Sequence, residues 1–193
     1  PKAPAPGARD VLSQGRGAGL GYGGTNCVME VAPLFQKKGV PFVASGATHP
    51  ELPHWIGDCL FMAAFGDDDQ SHAIADYTYK RLAARNVAVW TDESMDFTRT
   101  LSRFFKKRFT RLGGRIALED RFATGDQDFS SQIEALKKAD PEPDAVFIAA
   151  IPNEAGLTVR QIREAGLTLP IVSGDGFDTE LVASVPGPDL ADK

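Results

Sequence analysis

Residues 87–122 read VAVWTDESMDFTRTLSRFFKKRFTRLGGRIALEDRF, and this stretch decides the fold. Val87-Ala-Val-Trp-Thr91 is a short apolar, β-rich run of the kind that makes a buried strand. Leu101, Phe104, Phe105, Phe109 and Leu112 then recur along one helical stripe, and Gly113-Gly114 ends that helix as a C-cap pair. Arg115–Phe122 reads as the next strand. Strand, helix and strand at this spacing make a βαβ unit, whose strands run parallel.

The alternation extends to both sides. Upstream, Ile74, Tyr77, Thr78 and Leu82 mark an amphipathic helix over about 70–85. Downstream, a helix over about 129–139 turns Phe129, Ile133 and Leu136 inward and carries a capping-box spacing at Ser131 and Glu134. Asp144–Ala149 is a buried strand, Asn153–Ala165 a helix closed by Gly166, and Pro170–Ser173 the last strand. The first 65 residues are less regular. A helix over about 27–38 (Val28, Val31, Leu34, Phe35) passes through Gly39 into a strand at Val40–Ala44. Arg16–Gly24 is too glycine-rich to read as a strand. Pro1–Gly7 reads as a linker or the scar of a truncated chain, and the apolar run Leu60–Phe65 as a crossing between two lobes.

The 193 residues, 42% hydrophobic and 24% charged, have the composition of a soluble globular protein and the size of one large domain or two small lobes. A net charge of −5 argues against nucleic acid as a partner, which requires a basic surface. No apolar run reaches the roughly 18 residues of a membrane span, and Pro1–Gly7 lacks the apolar core of a signal peptide. Cys27 and Cys59 are compatible with one bridge or with two buried free thiols. Neither has the spacing of a zinc ligand, and no metal is expected.

Candidate chemistry concentrates at turns. Ala44-Ser-Gly-Ala-Thr48 ends a predicted strand in small residues, so backbone N–H groups and a hydroxyl approach an anion closely. Gly19-Leu-Gly-Tyr-Gly-Gly24 matches G-x-G-x-x-G, the fingerprint of a nicotinamide dinucleotide site. The residues before it make a poor strand, and the next strand ends in Ala44-Ser45 with no acidic residue for a ribose. The expected use is a close turn that presents Thr25 and a helix N-terminus to an anion, with no cofactor. Asp67-Asp-Asp69 precedes a helix starting near Gln70 and caps it. Arg99, Arg103, Lys106, Lys107, Arg108 and Arg111 form a solvated helix face, with docking to a partner protein as the alternative. His49, His54 and His72 have no nucleophile elbow beside them, so no active site is visible; His49 is a candidate to touch a ligand or a surface residue. Asp175, between two glycines past a buried strand, faces a cationic group or is an ordinary turn aspartate.

Ala32-Pro-Leu, Lys38-Gly-Val-Pro-Phe, Ser45-Gly-Ala-Thr-His-Pro-Glu-Leu52, Phe61–Gln70, Leu112-Gly-Gly114, Gly125-Asp-Gln-Asp-Phe-Ser130, Arg160-Gln-Ile-Arg-Glu-Ala-Gly166 and Gly174-Asp-Gly176 occur in order and at natural spacing. With these segments the chain, over roughly residues 22–185, resembles the periplasmic leucine/isoleucine/valine-binding proteins, the type I solute-binding proteins of ABC transporters. The resemblance implies an α/β fold of two Rossmann-like lobes with parallel sheets, closing on a ligand without catalysis. Against that pattern the chain is expected to be a fragment. Residues 1–65 correspond to a partial N-terminal lobe, 66–188 to most of the C-terminal lobe, and 189–193 to the start of a return crossing.

The resemblance also assigns roles. Thr25 stands where a serine meets the ligand carboxylate. Gly46, Ala47 and Thr48 form the turn that holds the same group. Asp175 pairs with the α-ammonium. Phe97 takes an aromatic position that is usually tyrosine, and Ile151 replaces a second aromatic, which makes that wall more apolar. The implied ligand is an amino acid, branched-chain or otherwise hydrophobic, or a similar small carboxylate. The implied partner is an ABC permease in the inner membrane, the location periplasmic and the protein monomeric. A ligand-sensing domain of a receptor or repressor with the same fold is the alternative, and a NAD-dependent oxidoreductase using Gly19–Gly24 a more distant one.

Overall fold

The computed structural model describes residues 4–187 and residue 189, and the chain divides into two compact units that meet in sequence between Asp69 and Gln70. Apart from Asp189, the expected return crossing lies outside the described residues.

The first unit runs α1 (Pro4–Ser13), β1 (Gly19–Gly21), α2 (Thr25–Lys38), β2 (Phe42–Ala44), α3 (Leu52–Ile56) and β3 (Leu60–Met62). Its strands are parallel in the order β1-β2-β3. Val28, Val31 and Phe35 of α2 recur at helical spacing and pack on Phe42, Ala44 and Leu60, with Ala8 of α1 and Leu52 of α3 joining the same core. Gly39 ends α2 in the left-handed conformation (φ 64°), its N–H bonded to the carbonyls of Phe35 and Gln36.

Three sequence expectations are corrected in this unit. Residues 4–7, expected to be part of a linker, begin the helix Pro4–Ser13, because Ala8 and Leu12 pack against the α2 core. Gly19–Gly21 is a strand, and its glycine is a packing requirement. A Cβ at Gly19 would lie 2.4 Å from Phe35 Cε1 and 2.7 Å from Phe42 Cδ2, so only glycine lets helix and strand approach this closely. Leu60–Met62, the first half of the run expected to cross between lobes, is a third sheet strand paired with β2.

In the second unit, the continuation of α4 (Asp67–Lys80) is followed by β4 (Asn86–Asp92), α5 (Asp96–Arg111), β5 (Arg115–Phe122) and α6 (Ser130–Lys138). Then come β6 (Ala145–Ala149), α7 (Pro152–Glu164), β7 (Ile171–Val172), a 3-10 turn at Asp175–Phe177 and α8 (Leu181–Ser184). The four strands are parallel in the order β5-β4-β6-β7. Alternation along the strands feeds two cores. Val87, Val89, Ala145 and Phe147 face Leu101, Phe105 and Phe109 of α5, with Ala75 of α4. Ala88, Trp90, Val146 and Ile148 face Phe129, the N-cap of α6, with Ile133 and Leu136 of α6 and Ile162 of α7. Helices on both faces explain why β6 is buried at every residue, as parallel sheets require. The Phe105 and Phe147 rings stack with centroids 4.0 Å apart.

The helix boundaries bring further corrections. The aspartates at 67–69 lie inside the first turn of α4, where they still oppose its positive end, instead of preceding it. The Ser131/Glu134 capping box does not form. Ser131 Oγ donates to Gln132 Oε1, Glu134 pairs with Lys137 and Lys138, and Asp128 Oδ1 instead accepts the Ser130 N–H. That bond holds the Asp128 carboxyl below its ordinary range. Of the α5 stripe, Phe104 is only half-buried, beneath the Arg103 guanidinium. The basic face is partly paired, Lys106 to Glu119 and Arg108 to Asp76 at 2.6 Å each, and Arg99 to Asp96. Among the described residues, no helix is long and apolar enough to cross a membrane.

Candidate functional site

Each unit gathers its candidate residues at the carboxyl-terminal edge of its own parallel sheet, where open α/β sheets bind ligands. In the first unit, β1 and β2 are adjacent and in register, and the loops that leave them run side by side. A Cβ at Gly46 would lie 3.2 Å from Gly23 Cα, so the turn at Gly46–Thr48 touches the turn that leads into α2. Thr25 is the first residue of α2 and is 8% exposed; Ala47 and Thr48 are buried too. The Thr48 carbonyl accepts the Asp67 N–H at 2.8 Å. The first turn of a fourteen-residue helix leaves N–H groups without intrahelical acceptors, which with two threonines nearby favours an anion. The structure therefore sets the Gly46–Thr48 turn against the Gly23 turn that leads into Thr25.

Tyr22, in the same loop, was not singled out by sequence. It adopts φ 64°, a left-handed conformation that costs a non-glycine residue on the order of 1–3 kcal/mol and that concentrates at functional sites. Its ring stacks over Phe42 at 6.4 Å. The surrounding glycines masked it, since a left-handed turn there reads as theirs.

In the second unit the strand order reverses at β4, with β5 on one side and β6 and β7 on the other. That switch point is where the crevice of such a sheet lies. Phe97 follows β4, Ile151 follows β6 as the N-cap of α7, and Asp175 follows β7. These loops converge: a Cβ at Gly176 would lie 2.1 Å from the Ala150 carbonyl oxygen and 3.7 Å from Phe97 Cε1. Ser173 Oγ donates to the Ile148 carbonyl at 2.5 Å, which fixes the start of the turn to β6. The Asp175 side chain is exposed, while its backbone N–H is held at 3.2 Å by Gln70 Oε1. Gln70 was expected only as a helix start. Its signal is visible solely in three dimensions, as a contact across 105 residues.

His49 is buried, not at the surface: its ring lies 4.4 Å from Trp55 and its Nδ1 accepts the Glu51 N–H. Cys27 and Cys59 are free thiols, and only half-buried.

With this geometry in hand, the comparisons with known proteins fall on one family. The family model of the periplasmic binding proteins matches residues 1–192. The Leu/Ile/Val-binding protein homolog 1 of Brucella suis is 27% identical over 169 residues, covering 88% of this chain and 45% of that protein. A leucine binding protein of Thermotoga maritima superposes with a TM-score of 0.85 at 33% identity, covering 96% of this chain and 52% of that one. A branched-chain amino acid transporter substrate binding protein of Streptococcus pneumoniae, in complex with isoleucine, gives 0.84 at 29%, covering 95% and 51%. The chain thus spans about half the length of the curated relatives it matches.

Proposed function

The chain belongs to the periplasmic binding protein family, and we propose that it binds an amino acid, branched-chain or otherwise hydrophobic, or a similar small carboxylate. In this reading the first-unit loops take the carboxylate. Thr25, the Gly46–Thr48 turn and the N-terminus of α2 supply donors, with bonds strengthened by the ligand's charge. Asp175 takes the ammonium. Phe97 and Ile151 supply apolar contact for the side chain, and neither offers a hydroxyl to it.

The observation that carries the reading is the Asp175 turn. It presents an exposed carboxylate at the end of β7, on a backbone fixed by Ser173 and by the close approach of Gly176 to Ala150. A carboxylate presented on a pinned turn suits a cationic group better than a solvated loop does, because less ordering is left for binding.

The family is one of binding proteins, so the role is binding and not catalysis. The named relatives support an extracytoplasmic location and delivery of the ligand to an ABC permease, and both are part of this proposal. Mass spectrometry of small molecules released from the purified, denatured full-length protein tests it. An α-amino acid at near-stoichiometric yield is expected; a carboxylate without an amine contradicts the role given to Asp175.

A further inference from the structure

Gln70 is only 8% exposed, and the ligand contacts proposed above make no use of it. Its Oε1 accepts the Asp175 N–H at 3.2 Å. The carboxamide also presses on the preceding residue: a Cβ at Gly174 would lie 2.0 Å from Gln70 Oε1 and 2.7 Å from Leu101 Cδ2. The other half of the amide is unmet, since Nε2 is buried with no acceptor among the described residues. An unmet buried donor is unfavourable. If filling space were the only demand, a methionine of similar shape would meet it without that cost. What a hydrocarbon side chain cannot do is accept the Asp175 N–H.

The turn is held at three points. Ser173 is bonded to Ile148, Gly176 rests against Ala150, and between them Asp175 is bonded to Gln70. Of the side-chain contacts, the Gln70 bond acts on Asp175 itself, whose carbonyl also accepts the Asp178 N–H at 2.9 Å within the turn. We propose that Gln70 is a specificity-determining positioning residue. By accepting the Asp175 N–H it sets the direction of that carboxylate, and with it the preference for a ligand bearing an ammonium. The inference rests on the reading of Asp175 as the ammonium partner, and the experiment separates the two.

The measurement is calorimetric affinity in the full-length protein for two probes. One is the L-amino acid, among the common twenty, that most raises the wild-type melting temperature; the other is its deaminated carboxylic acid. Asp175→Asn lowers amino-acid affinity by about tenfold or more, the scale of a lost charge-assisted hydrogen bond, and leaves the deaminated acid nearly unchanged. Gln70→Met moves the ratio of the two affinities the same way by about fivefold to tenfold. Gln70→Glu, which keeps the Oε acceptor, retains the wild-type preference. The Gln70→Met/Asp175→Asn double variant is no worse than Asp175→Asn alone, because the positioned group is already gone. Equal weakening of both probes by Gln70→Met means a merely structural glutamine and overturns the inference, as does no weakening at all. An unchanged ratio in Asp175→Asn, or no amino acid that binds, overturns the ammonium reading and this inference with it.

Discussion

Gly176 lies so close to Ala150 that a Cβ on it would stand 2.1 Å from the Ala150 carbonyl oxygen. The loops that follow β6 and β7 therefore meet backbone to backbone at this point, and Asp175 is carried on the result.

Gly176→Ala tests that relation. The obstacle is backbone, so the turn must move, at about 1–3 kcal/mol as for other overpacked sites. We expect a lower melting temperature and amino-acid affinity reduced by at least about tenfold. Gly17→Ala is the control, since its Cβ meets nothing within 4 Å. Equal behaviour of the two variants in melting and calorimetry contradicts the prediction.

Thr25→Val keeps the shape of a buried side chain and removes its hydroxyl. If that hydroxyl serves the ligand carboxylate, the amino acid and its deaminated acid both weaken by about 1.5–3 kcal/mol, the worth of a hydrogen bond to a charged group. Calorimetry with the two probes checks this, and a loss confined to the amino acid would reassign Thr25 to the other end of the ligand.

Asp76 is bonded by Arg108 and Lys80, which in that order hold its carboxyl well below its ordinary range. A depressed carboxylate contributes stability that is complete above its unfolded pKa of about 4 and is lost as pH falls toward the folded value. Asp76→Asn should therefore be less stable than wild type at neutral pH, and the gap should shrink as pH drops from about 4 to about 2. Urea unfolding across that window reads the gap directly. A gap independent of pH contradicts the assignment.

Leu20, Val43 and Phe61 are register partners across β1, β2 and β3, and Leu20 is 77% and Phe61 54% exposed. Parallel sheets are ordinarily covered on both faces. The 193-residue chain by itself should bind a hydrophobic dye such as bis-ANS, and a Leu20→Lys/Phe61→Lys variant should bind far less. Undiminished fluorescence in that variant would place the dye elsewhere.

Much of the second unit was legible in the sequence, because its central strands are short apolar runs and its helices carry clean stripes. Val87–Thr91, Arg115–Phe122 and the Leu101/Phe105/Phe109 stripe all fall where periodicity put them. The first unit was obscured by its packing. Glycine at 19 makes room for Phe35 and Phe42, and the same residue lowers strand propensity, so β1 did not show. α1 hides behind three prolines in Pro1–Gly7, and its order comes from burial of Ala8 against α2 rather than from local preference. Among candidate site residues, those on loops with small-residue signatures were found. Tyr22 and Gln70 were missed because a left-handed backbone and a long-range amide contact leave no local pattern.

The ligand we propose is a zwitterion, its carboxylate met by Thr25 and the Gly46–Thr48 turn and its ammonium by Asp175. The most direct measurement is the melting temperature of the full-length protein with an amino acid, with the decarboxylated amine of that amino acid, and with its deaminated acid. Each is supplied at one concentration. A ligand present at about 100 times its dissociation constant stabilises the native state by about 2.7 kcal/mol. A clear rise is expected with the amino acid and a much smaller one with either truncated form. An equal rise with the amine, or with the deaminated acid, would contradict this expectation.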